Sequence, residues 1–407
     1  MNMVPAIVLA GGKGKRMGIL CRIRPEPVLP FAGNYRIIDF TLSNCIHSHI
    51  EDIAVMVDYQ RPVINRYLKK WHSMNGRPFS LHVLPPAAGS YNGTADAVYQ
   101  NLDYLERLDS DNVLILAGDH VYNMDYSNMI EFHNDMKADA TIGVIKVAPE
   151  EAHRFGTVIV NEQNSIMEFR GKTVETTSSH ASMGIYIFKK EFLVNCLMED
   201  AGRIDSSHDF GYSLLPSMVE SGKVFAHLFN GFWEDIGSIN SYYKAHMELL
   251  ESQPRFKIDN GWPVLTASNS LPAYKTGRQG NIVNSIISPG CVVKGHVINS
   301  VLSPGVIVEK QAEVVNSVVM SNSSIGYHSI INRCILDQGV KVGKYCYIGL
   351  ESERSSGETN ITVLGQNVET PDYLAIGSRC KILPNTGVAD FDSKFISADS
   401  VVAARAR

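Results

Sequence analysis

The sequence predicts an α/β protein of two domains, a helix-flanked sheet followed by a parallel β-helix. Three observations support this prediction. The chain has 407 residues, which is too long for one compact core. Strand patterns alternate with helix patterns over residues 1–251, which is typical of a mostly parallel sheet with helices on both faces. From residue 281 onward, short β-branched triplets recur every 15 to 17 residues, which is typical of stacked coils.

The first half contains the elements of an open α/β sheet. Strand patterns cover residues 6–10, 53–57, 113–117, 141–147 and 157–160. Helix patterns cover residues 41–49, 62–71 and 95–105. Ligands of such sheets bind beyond the carboxyl ends of the strands. The glycine-rich turn after residue 10 and Asp119 after residue 117 are therefore expected near a ligand.

The second half is organised by a repeat. The pattern I-V-N-S-I-I at residues 282–287 recurs at 297–302, 314–319 and, more loosely, at 331–335. Antiparallel strands should alternate in and out rather than repeat triplets at a fixed period, so a β-helix is favoured over a β-sandwich. Residues 252–280 are rich in Pro, Gly, Asn and Ser and are predicted to be a linker. The predicted domains are therefore 1–251 and 281–407.

Composition excludes several classes of function. The net charge of −5 argues against a general nucleic-acid binder, so a polyanionic substrate must meet locally concentrated Lys and Arg. The seven cysteines are scattered without a C-x-x-C pair, which argues against disulfides and zinc and suits a reducing cytoplasm. The sequence resembles neither a signal peptide nor a membrane span, so no membrane partner is expected.

The turn after the first strand reads Gly11-Gly12-Lys13-Gly14-Lys15-Arg16. Glycines let backbone N–H groups approach a phosphate, and the basic side chains add positive charge. The turn lacks the Gly-Lys-Ser/Thr of a Walker A loop and the spacing of the dinucleotide G-x-G-x-x-G. An ordinary strand-to-loop turn is the alternative interpretation.

Other candidate site residues also have structural alternatives. Asp119 and Asp235 could share Mg²⁺, which prefers one or two carboxylates plus phosphate oxygens, but each could equally cap a turn or helix. Gly93 and Thr94 open a helix whose first N–H groups are expected to be free for a ligand. Gln60 in a polar loop could face a base. The segment 207–211 is not part of a hydrolase triad, because no G-x-S-x-G accompanies it.

Several segments together closely resemble the sugar-nucleotide pyrophosphorylases, and among them the bacterial ADP-glucose pyrophosphorylases (glucose-1-phosphate adenylyltransferases). The segments that carry the resemblance are G-G-K-G-K-R (11–16), P-F-A-G-N-Y-R-I-I-D-F (30–40), L-S-N-C (42–45), G-T-A-D-A-V (93–98), G-D-H (118–120), A-S-M-G-I-Y (181–186), S-H-D-F-G (207–211) and W-E-D-I-G (233–237). They occur in the family's order.

The resemblance implies a Rossmann-like nucleotidyltransferase (GT-A-like) domain and a left-handed parallel β-helix. It implies that glucose 1-phosphate attacks the α-phosphorus of ATP, giving ADP-glucose for glycogen or α-glucan synthesis and pyrophosphate, with Mg²⁺ as cofactor. It further implies a homotetramer controlled by phosphorylated metabolites.

The resemblance also assigns residues. Gly11, Gly12, Gln60, Gly93 and Thr94 bind the nucleotide, Arg16 and Asp119 are catalytic, Asp119 and Asp235 hold Mg²⁺, Gly156, Lys172 and Ser182 surround the sugar phosphate, and Arg36 binds an effector.

Two positions depart from the family pattern. Glu26 stands where the family has Lys, so either it turns away and Arg22 or Arg24 substitutes, or the chain is a poor catalyst. Gly171 stands where the family has an acid that contacts sugar hydroxyls. Two alternative functions follow, namely a nucleotidyltransferase for another sugar phosphate or nucleotide, and a weakly catalytic regulatory subunit.

Overall fold

The computed structural model describes residues 4–75, 79–87, 89–172, 178–258, 261–268, 270–350 and 360–405. In these ranges, no helix has both the length and the apolar character needed to cross a membrane. The architecture expected from the sequence is confirmed: an α/β domain precedes a parallel β-helix built from three sheets.

The first strand, Ala6–Leu9, lies at the centre of the N-terminal sheet. It runs parallel to Asp52–Met56 on one side and to Asn112–Ala117 on the other. Ser80–Leu84 continues the parallel part beyond Asp52–Met56. Successive residues of the first strand are buried in different apolar clusters, because both faces of the sheet are covered.

The other half of the sheet is mostly antiparallel, so the expectation of a mostly parallel sheet is wrong there. His180–Lys189, a strand absent from the sequence analysis, runs antiparallel to both Asn112–Ala117 and Ala140–Lys146. Val224–Leu228 pairs parallel with Ala140–Lys146. The remaining two strands, Thr157–Val160 and Ile166–Arg170, form an antiparallel hairpin, which needs no crossover helix.

The helices of the first domain pack on this sheet. They are Ile37–His47, Arg61–Asn75, Thr94–Tyr99, Leu102–Arg107, Ser127–Asp135, Pro149–Ala152, Lys190–Ala201, Leu215–Ser221 and Ile239–Glu248. Short 3₁₀ or π turns occur at Lys15–Cys21, where Gly18 (φ 55°, ψ −121°) separates two turns, at Glu26–Val28, at Phe210–Leu214 and, in the C-terminal domain, at Val388–Asp390.

Two predicted helices differ from the observed ones. The pattern at 95–105 is two helices, because Asn101 leaves helical geometry (φ −120°, ψ 29°) and its side chain donates to the carbonyl oxygen of Ala97 at 2.9 Å. The helix predicted from residue 41 begins at Ile37, where the Asp39 carboxylate accepts from the Arg36 backbone N–H at 2.8 Å. A local cap therefore moves that boundary.

The C-terminal domain consists of three parallel sheets whose strands stack coil on coil. The first sheet contains Asn281–Val283, His296–Ile298, Glu313–Val315, Ile330–Asn332, Tyr347–Leu350, Ala375–Gly377 and Phe395–Ile396. The second contains Ile286–Ile287, Val301–Leu302, Val318–Val319, Cys334–Leu336, Thr362–Leu364, Lys381–Ile382 and Val401–Val402. The third contains Lys275–Thr276, Val292–Val293, Ile307–Val308, Ser324–Ile325 and Lys341–Val342.

The repeated asparagines form a corner of the β-helix. Asn284, Asn299 and Asn316 have φ values of 44°, 45° and 46°, in the left-handed region that Asn tolerates better than most residues. The Asn284 side-chain amide donates to Asn299 Oδ1 at 2.8 Å. The recurrence of Asn in the sequence therefore reflects a backbone requirement at each turn.

The two domains share one buried interface. An apolar cluster joins Met17 and Tyr242 of the first domain to Val318 and Ile335 of the β-helix. The hydroxyl of Tyr243, on the last helix of the first domain, donates to the carbonyl oxygen of Asn316 at 2.6 Å. The β-helix is thus packed against the segment that follows the glycine-rich turn.

Candidate functional site

A cleft of about 510 Å³ lies at the carboxyl end of the parallel strands. Its volume is in the range of small-molecule sites, about 300–1,000 Å³. Most of the residues predicted for the site line it, and these are Gly11, Gly12, Gly93, Thr94, Asp119, Gly156, Lys172, Ser182 and Asp235. Residues far apart in the chain, each predicted for one binding site, thus share one cavity.

Two predicted residues are not among the described residues that line the cleft. Arg16 lies beside it, with its Nη2 atom 3.8 Å from Asp235 Oδ2. Gln60 opens the helix Arg61–Asn75 in a left-handed conformation (φ 50°), and its carbonyl oxygen accepts from Val63 N–H at 2.9 Å. A contact between Gln60 and a nucleotide therefore stays a prediction.

The glycine-rich turn presents backbone to the cleft. A Cβ on Gly12 would meet nothing within 4 Å, so this residue faces open space. A Cβ on Gly11 would lie 3.3 Å from Asp58 Cβ, so a larger residue there would press on the neighbouring strand end. Gly14 has φ 56°, which favours glycine. Close approach of a phosphate to this turn requires this exposed backbone.

The two candidate metal ligands are brought together by a short antiparallel pair. Trp233–Asp235 pairs with His120–Tyr122, and Asp235 lies directly opposite His120, the residue after Asp119. Asp235 is buried and its Oδ1 atom accepts from Gly237 N–H at 2.9 Å. A Cβ on Gly237 would lie 2.6 Å from Arg16 Nη2, so glycine here lets Arg16 approach the carboxylate.

The charge around Asp235 favours its ionised form. Burial raises the pKa of this carboxyl, but the positive charges of His120, Lys172 and Arg16 and the Gly237 hydrogen bond outweigh burial and hold it below its usual value. Among the described residues, no cluster of three or more His, Cys, Asp or Glu side chains suited to a metal occurs. Two carboxylates fit a cation that also takes phosphate oxygens.

Glu26 lies near this charged region but is not among the described residues that line the cleft. Its side chain is buried, and its Oε1 atom has no hydrogen-bond partner among the described residues. Burial, followed by the negative charges of Asp119 and Asp235, raises the pKa of Glu26 to about 8, against the opposing charges of Arg16 and Lys172. The two alternatives for Glu26, a carboxyl that turns away or a poor catalyst, therefore stay predictions.

Arg24 is not free to take over the role of a lysine at this position, whereas substitution by Arg22 stays a prediction. Arg24 is buried, and its two Nη atoms bind the Asp337 carboxylate of the β-helix at 2.8 and 2.9 Å. Arg22 is exposed, and its carbonyl oxygen accepts from the Tyr59 hydroxyl at 2.6 Å. The side chain of Arg24 is committed to the domain interface.

The start of the helix Thr94–Tyr99 differs from the expectation of free N–H groups. The carbonyl oxygen of His208 accepts from Ala95 N–H at 2.9 Å and from Asp96 N–H at 3.1 Å. A Cβ on Gly93 would lie 2.2 Å from this oxygen, so only glycine allows the contact. Part of the helix N-terminus is thus satisfied by protein, and Gly93 serves a packing role.

Residues that sequence reasoning did not assign to the site also line the cleft. Thr94 Oγ1 donates to Asp209 Oδ2 at 2.8 Å and accepts from Phe210 N–H at 2.9 Å. This connection places Asp209 and Tyr212 on the wall of the cleft. The local sequence of segment 207–211 does not indicate a contact with Thr94, so it predicts no place in the site for Asp209 or Tyr212.

The sugar-phosphate candidates Gly156, Lys172 and Ser182 line the same cleft, and the part of the wall that they form is called the sugar end below. Ser182 N–H donates to the carbonyl oxygen of Gly156 at 2.8 Å, which ties two of them to each other. A Cβ on Gly156 would lie 2.8 Å from Phe169 Cζ, so the strand that precedes Lys172 packs closely there.

Arg36 lines a second cavity, of about 220 Å³, at the domain interface. Its guanidinium lies 5.8 Å from the centre of the Tyr67 ring, and burial lowers its pKa. Lys70 of the first domain and Asn322 and Gln338 of the β-helix also line this cavity. The cavity is therefore polar and partly basic.

Comparison with known proteins agrees with this architecture. Residues 5–252 match the nucleotidyl transferase family model, and residues 271–368 match the GlmU-like C-terminal hexapeptide model. Glucose-1-phosphate adenylyltransferase of Acetivibrio thermocellus is 40% identical over 98% of this chain and 97% of its own length. The protein of that name from Thermomicrobium roseum is 39% identical over 99% and 98% of the two chains. The chain belongs to the nucleotidyl transferase family, in its glucose-1-phosphate adenylyltransferase branch.

Proposed function

We propose that this protein is a glucose-1-phosphate adenylyltransferase that makes ADP-glucose and pyrophosphate from ATP and glucose 1-phosphate. The observation that carries the proposal is the pairing of Trp233–Asp235 with His120–Tyr122. This pairing puts Asp119 and Asp235 on the wall of the cleft that the glycine-rich turn opens. Nearly full-length similarity to enzymes of that name supports the choice of substrates.

The reaction needs positioning and charge neutralisation more than covalent chemistry by the protein. The backbone of Gly11 and Gly12 binds the triphosphate, and Arg16 adds positive charge near the α-phosphate. Lys172, which carries its charge on the cleft wall, binds the phosphate of glucose 1-phosphate, whose oxygen attacks the α-phosphorus. Gly93 and Thr94 lie against the nucleotide, and Gly156 and Ser182 lie against the sugar phosphate.

Asp119 and Asp235 would hold a divalent cation, which we propose is Mg²⁺. When bound, Mg²⁺ offsets the charge that develops on the phosphates. The carboxylate oxygens of this pair suit a hard cation. Lys172, His120 and Arg16 keep Asp235 ionised and ready to bind it.

Two observations favour alternative functions. Gly171 places no acid where the family has one, which favours a different sugar 1-phosphate or nucleotide. Glu26 brings a carboxyl close to the phosphate site, which favours a weakly catalytic subunit that supports an active partner.

Several properties follow from the resemblance and are proposed with the function. Phosphorylated effectors would bind the second cavity, where Arg36 and Lys70 supply positive charge. A homotetramer, the product's use in α-glucan synthesis and the domain boundaries 1–251, 252–280 and 281–407 remain proposals. A cytoplasmic location is supported by seven free cysteines, which a reducing compartment preserves.

Pyrophosphate release by the purified protein tests the proposal. The protein should release pyrophosphate when it is given ATP, glucose 1-phosphate and Mg²⁺. Asp119→Asn or Asp235→Asn should lower the rate of this release at least about 10²-fold. Asp103→Asn, at an exposed carboxylate paired with Arg107, is the matched control and should retain activity. A panel of nucleotides and sugar phosphates separates the alternative substrates. If the purified chain released no pyrophosphate and Glu26→Lys restored the activity, the regulatory-subunit alternative would be favoured.

A further inference from the structure

An aromatic ring occupies the space beside Gly171 at the sugar end of the cleft. A Cβ on Gly171 would lie 3.0 Å from Cδ1 and 3.3 Å from Cε1 of Tyr212. Both residues line the cleft, next to Lys172. A side chain at position 171 would therefore compete with the Tyr212 ring, and the absence of one lets the ring lie against the backbone.

The backbone of Tyr212 is held in place by Asp209. The Asp209 Oδ1 atom accepts from Gly211 N–H at 2.9 Å and from Tyr212 N–H at 3.2 Å. Tyr212 lies in the π-helical turn Phe210–Leu214, a conformation that occurs frequently at functional sites. Its side chain is 58% exposed although its backbone is fixed, so the ring offers free surface to the cleft.

The carboxylates near this end of the cleft already bind protein donors. Glu168, on the strand before Gly171, binds Arg170 with both oxygens, at 2.6 and 3.0 Å. Asp209 accepts from two backbone N–H groups and from Thr94 Oγ1. Among the residues that the structure describes, a sugar next to Gly171 thus meets the face or edge of the Tyr212 ring, and Glu168 and Asp209 are already paired.

We propose that Tyr212 is a specificity-determining residue that contacts the sugar ring of the sugar 1-phosphate. Aromatic side chains pair a large apolar surface with a polar tip, which suits the C–H face of a hexose. The proposal rests on the proposed function. It refines the substrate class to hexose 1-phosphates, with only weak discrimination by the enzyme at the sugar hydroxyl that lies next to Tyr212. An apolar contact discriminates by only about 10–200-fold, whereas a hydrogen-bonding site rejects an analogue that lacks the hydroxyl by about 10⁴-fold or more.

Steady-state kinetics of Tyr212→Ala and Tyr212→Phe test the contact. Tyr212→Ala should raise KM for glucose 1-phosphate about tenfold and leave KM for ATP within about twofold, whereas Tyr212→Phe should behave like the unchanged protein. Tyr274→Ala removes a half-exposed tyrosine before the β-helix and serves as the matched control. Binding of glucose 1-phosphate, followed by saturation-transfer NMR, should weaken in Tyr212→Ala alone.

Substrate analogues test the specificity. At least one monodeoxy glucose 1-phosphate should be used with kcat/KM within about 200-fold of glucose 1-phosphate. Unchanged KM and NMR binding in Tyr212→Ala, or rejection of every deoxy analogue by more than about 10³-fold, would overturn the inference while leaving the proposed function intact. If the unchanged protein used no hexose 1-phosphate at all, the proposed function and this inference would both fail.

Discussion

Glu26 is a buried carboxyl whose proton depends on folding. Its pKa is about 8 in the folded chain because of burial and the nearby Asp119 and Asp235, compared with 4.5 for an ordinary glutamate. Between these two pH values the folded chain keeps a proton that the unfolded chain has released. Stability must therefore fall as pH rises through this window, since the folded state binds more protons.

We expect Glu26→Gln to reduce this loss of stability with pH. In metal-free buffer, the free energy of unfolding of the unchanged protein, measured by denaturant titration, should fall between pH 5 and pH 8.5 by more than that of Glu26→Gln. The difference should be on the order of a few kcal/mol, since one pKa unit corresponds to about 1.4 kcal/mol. Glu162→Gln alters an exposed glutamate and is the control. Parallel pH profiles for Glu26→Gln and the unchanged protein would contradict this account of Glu26.

At the scale of elements, two glycines of the cleft have different tasks. A Cβ on Gly93 would lie 2.2 Å from the carbonyl oxygen of His208, which caps the following helix. A Cβ on Gly12 would meet nothing within 4 Å. The same Gly→Ala change therefore creates a steric clash at one position and only narrows the open cleft at the other.

We expect Gly93→Ala to lower stability and activity together, because the helix Thr94–Tyr99 must move away from His208. The loss of stability should be about 1–3 kcal/mol, as for other overpacked sites. Gly12→Ala should keep the unfolding midpoint and raise KM for ATP, because its added methyl faces the nucleotide. Thermal unfolding and ATP kinetics of the two variants check this contrast, and equal midpoints would contradict it.

Local patterns predict the elements whose causes are local. The first strand, the glycine-rich turn and the β-helix coils were all recognisable because apolar runs, glycines and β-branched triplets act within a few residues. Asp119 was likewise predicted from its place after a strand. The antiparallel strand His180–Lys189 was not, because its pairing is set by the sheet and not by its own residues.

The same limit applies to the site. The sequence places Asp119 after a strand and Asp235 before a glycine but cannot show that Asp235 lies opposite His120. Tyr212 and Asp209 reach the cleft through contacts with Gly171 and Thr94, which are distant in the chain. The sequence shows that Glu26 departs from the family pattern, which has Lys at this position. It does not show where the Glu26 carboxyl lies, because that depends on how the chain packs beneath the glycine-rich turn.

At the scale of the whole molecule, a buried ion pair joins the two domains. Arg24 binds Asp337 with two hydrogen bonds, and only 4% and 0% of these residues are exposed. Arg24 lies two residues before Glu26, so the β-helix anchors the segment that carries this carboxyl. Loss of one partner would leave the other charge buried without compensation.

We expect Asp337→Asn to lower the free energy of unfolding by about 3–5 kcal/mol, the usual cost of breaking a buried pair. Asp399→Asn breaks the pair with Arg379 in which Asp399 is largely exposed, and should cost far less than Asp337→Asn because water screens the pair. Denaturant unfolding of the two variants makes the comparison. A similar small loss for both would show that the Arg24–Asp337 pair does not hold the domains together.

The position of the metal is the most direct test of the central claim, that Asp119 and Asp235 share one divalent cation beside the nucleotide's phosphates. The measurement is a crystal structure of the protein grown with ADP-glucose, pyrophosphate and Mn²⁺, with anomalous scattering locating the manganese. We expect one strong anomalous peak, from a manganese ion in contact with both carboxylates and with a phosphate oxygen. Bound nucleotide with manganese elsewhere, or with neither carboxylate touching it, would contradict the account.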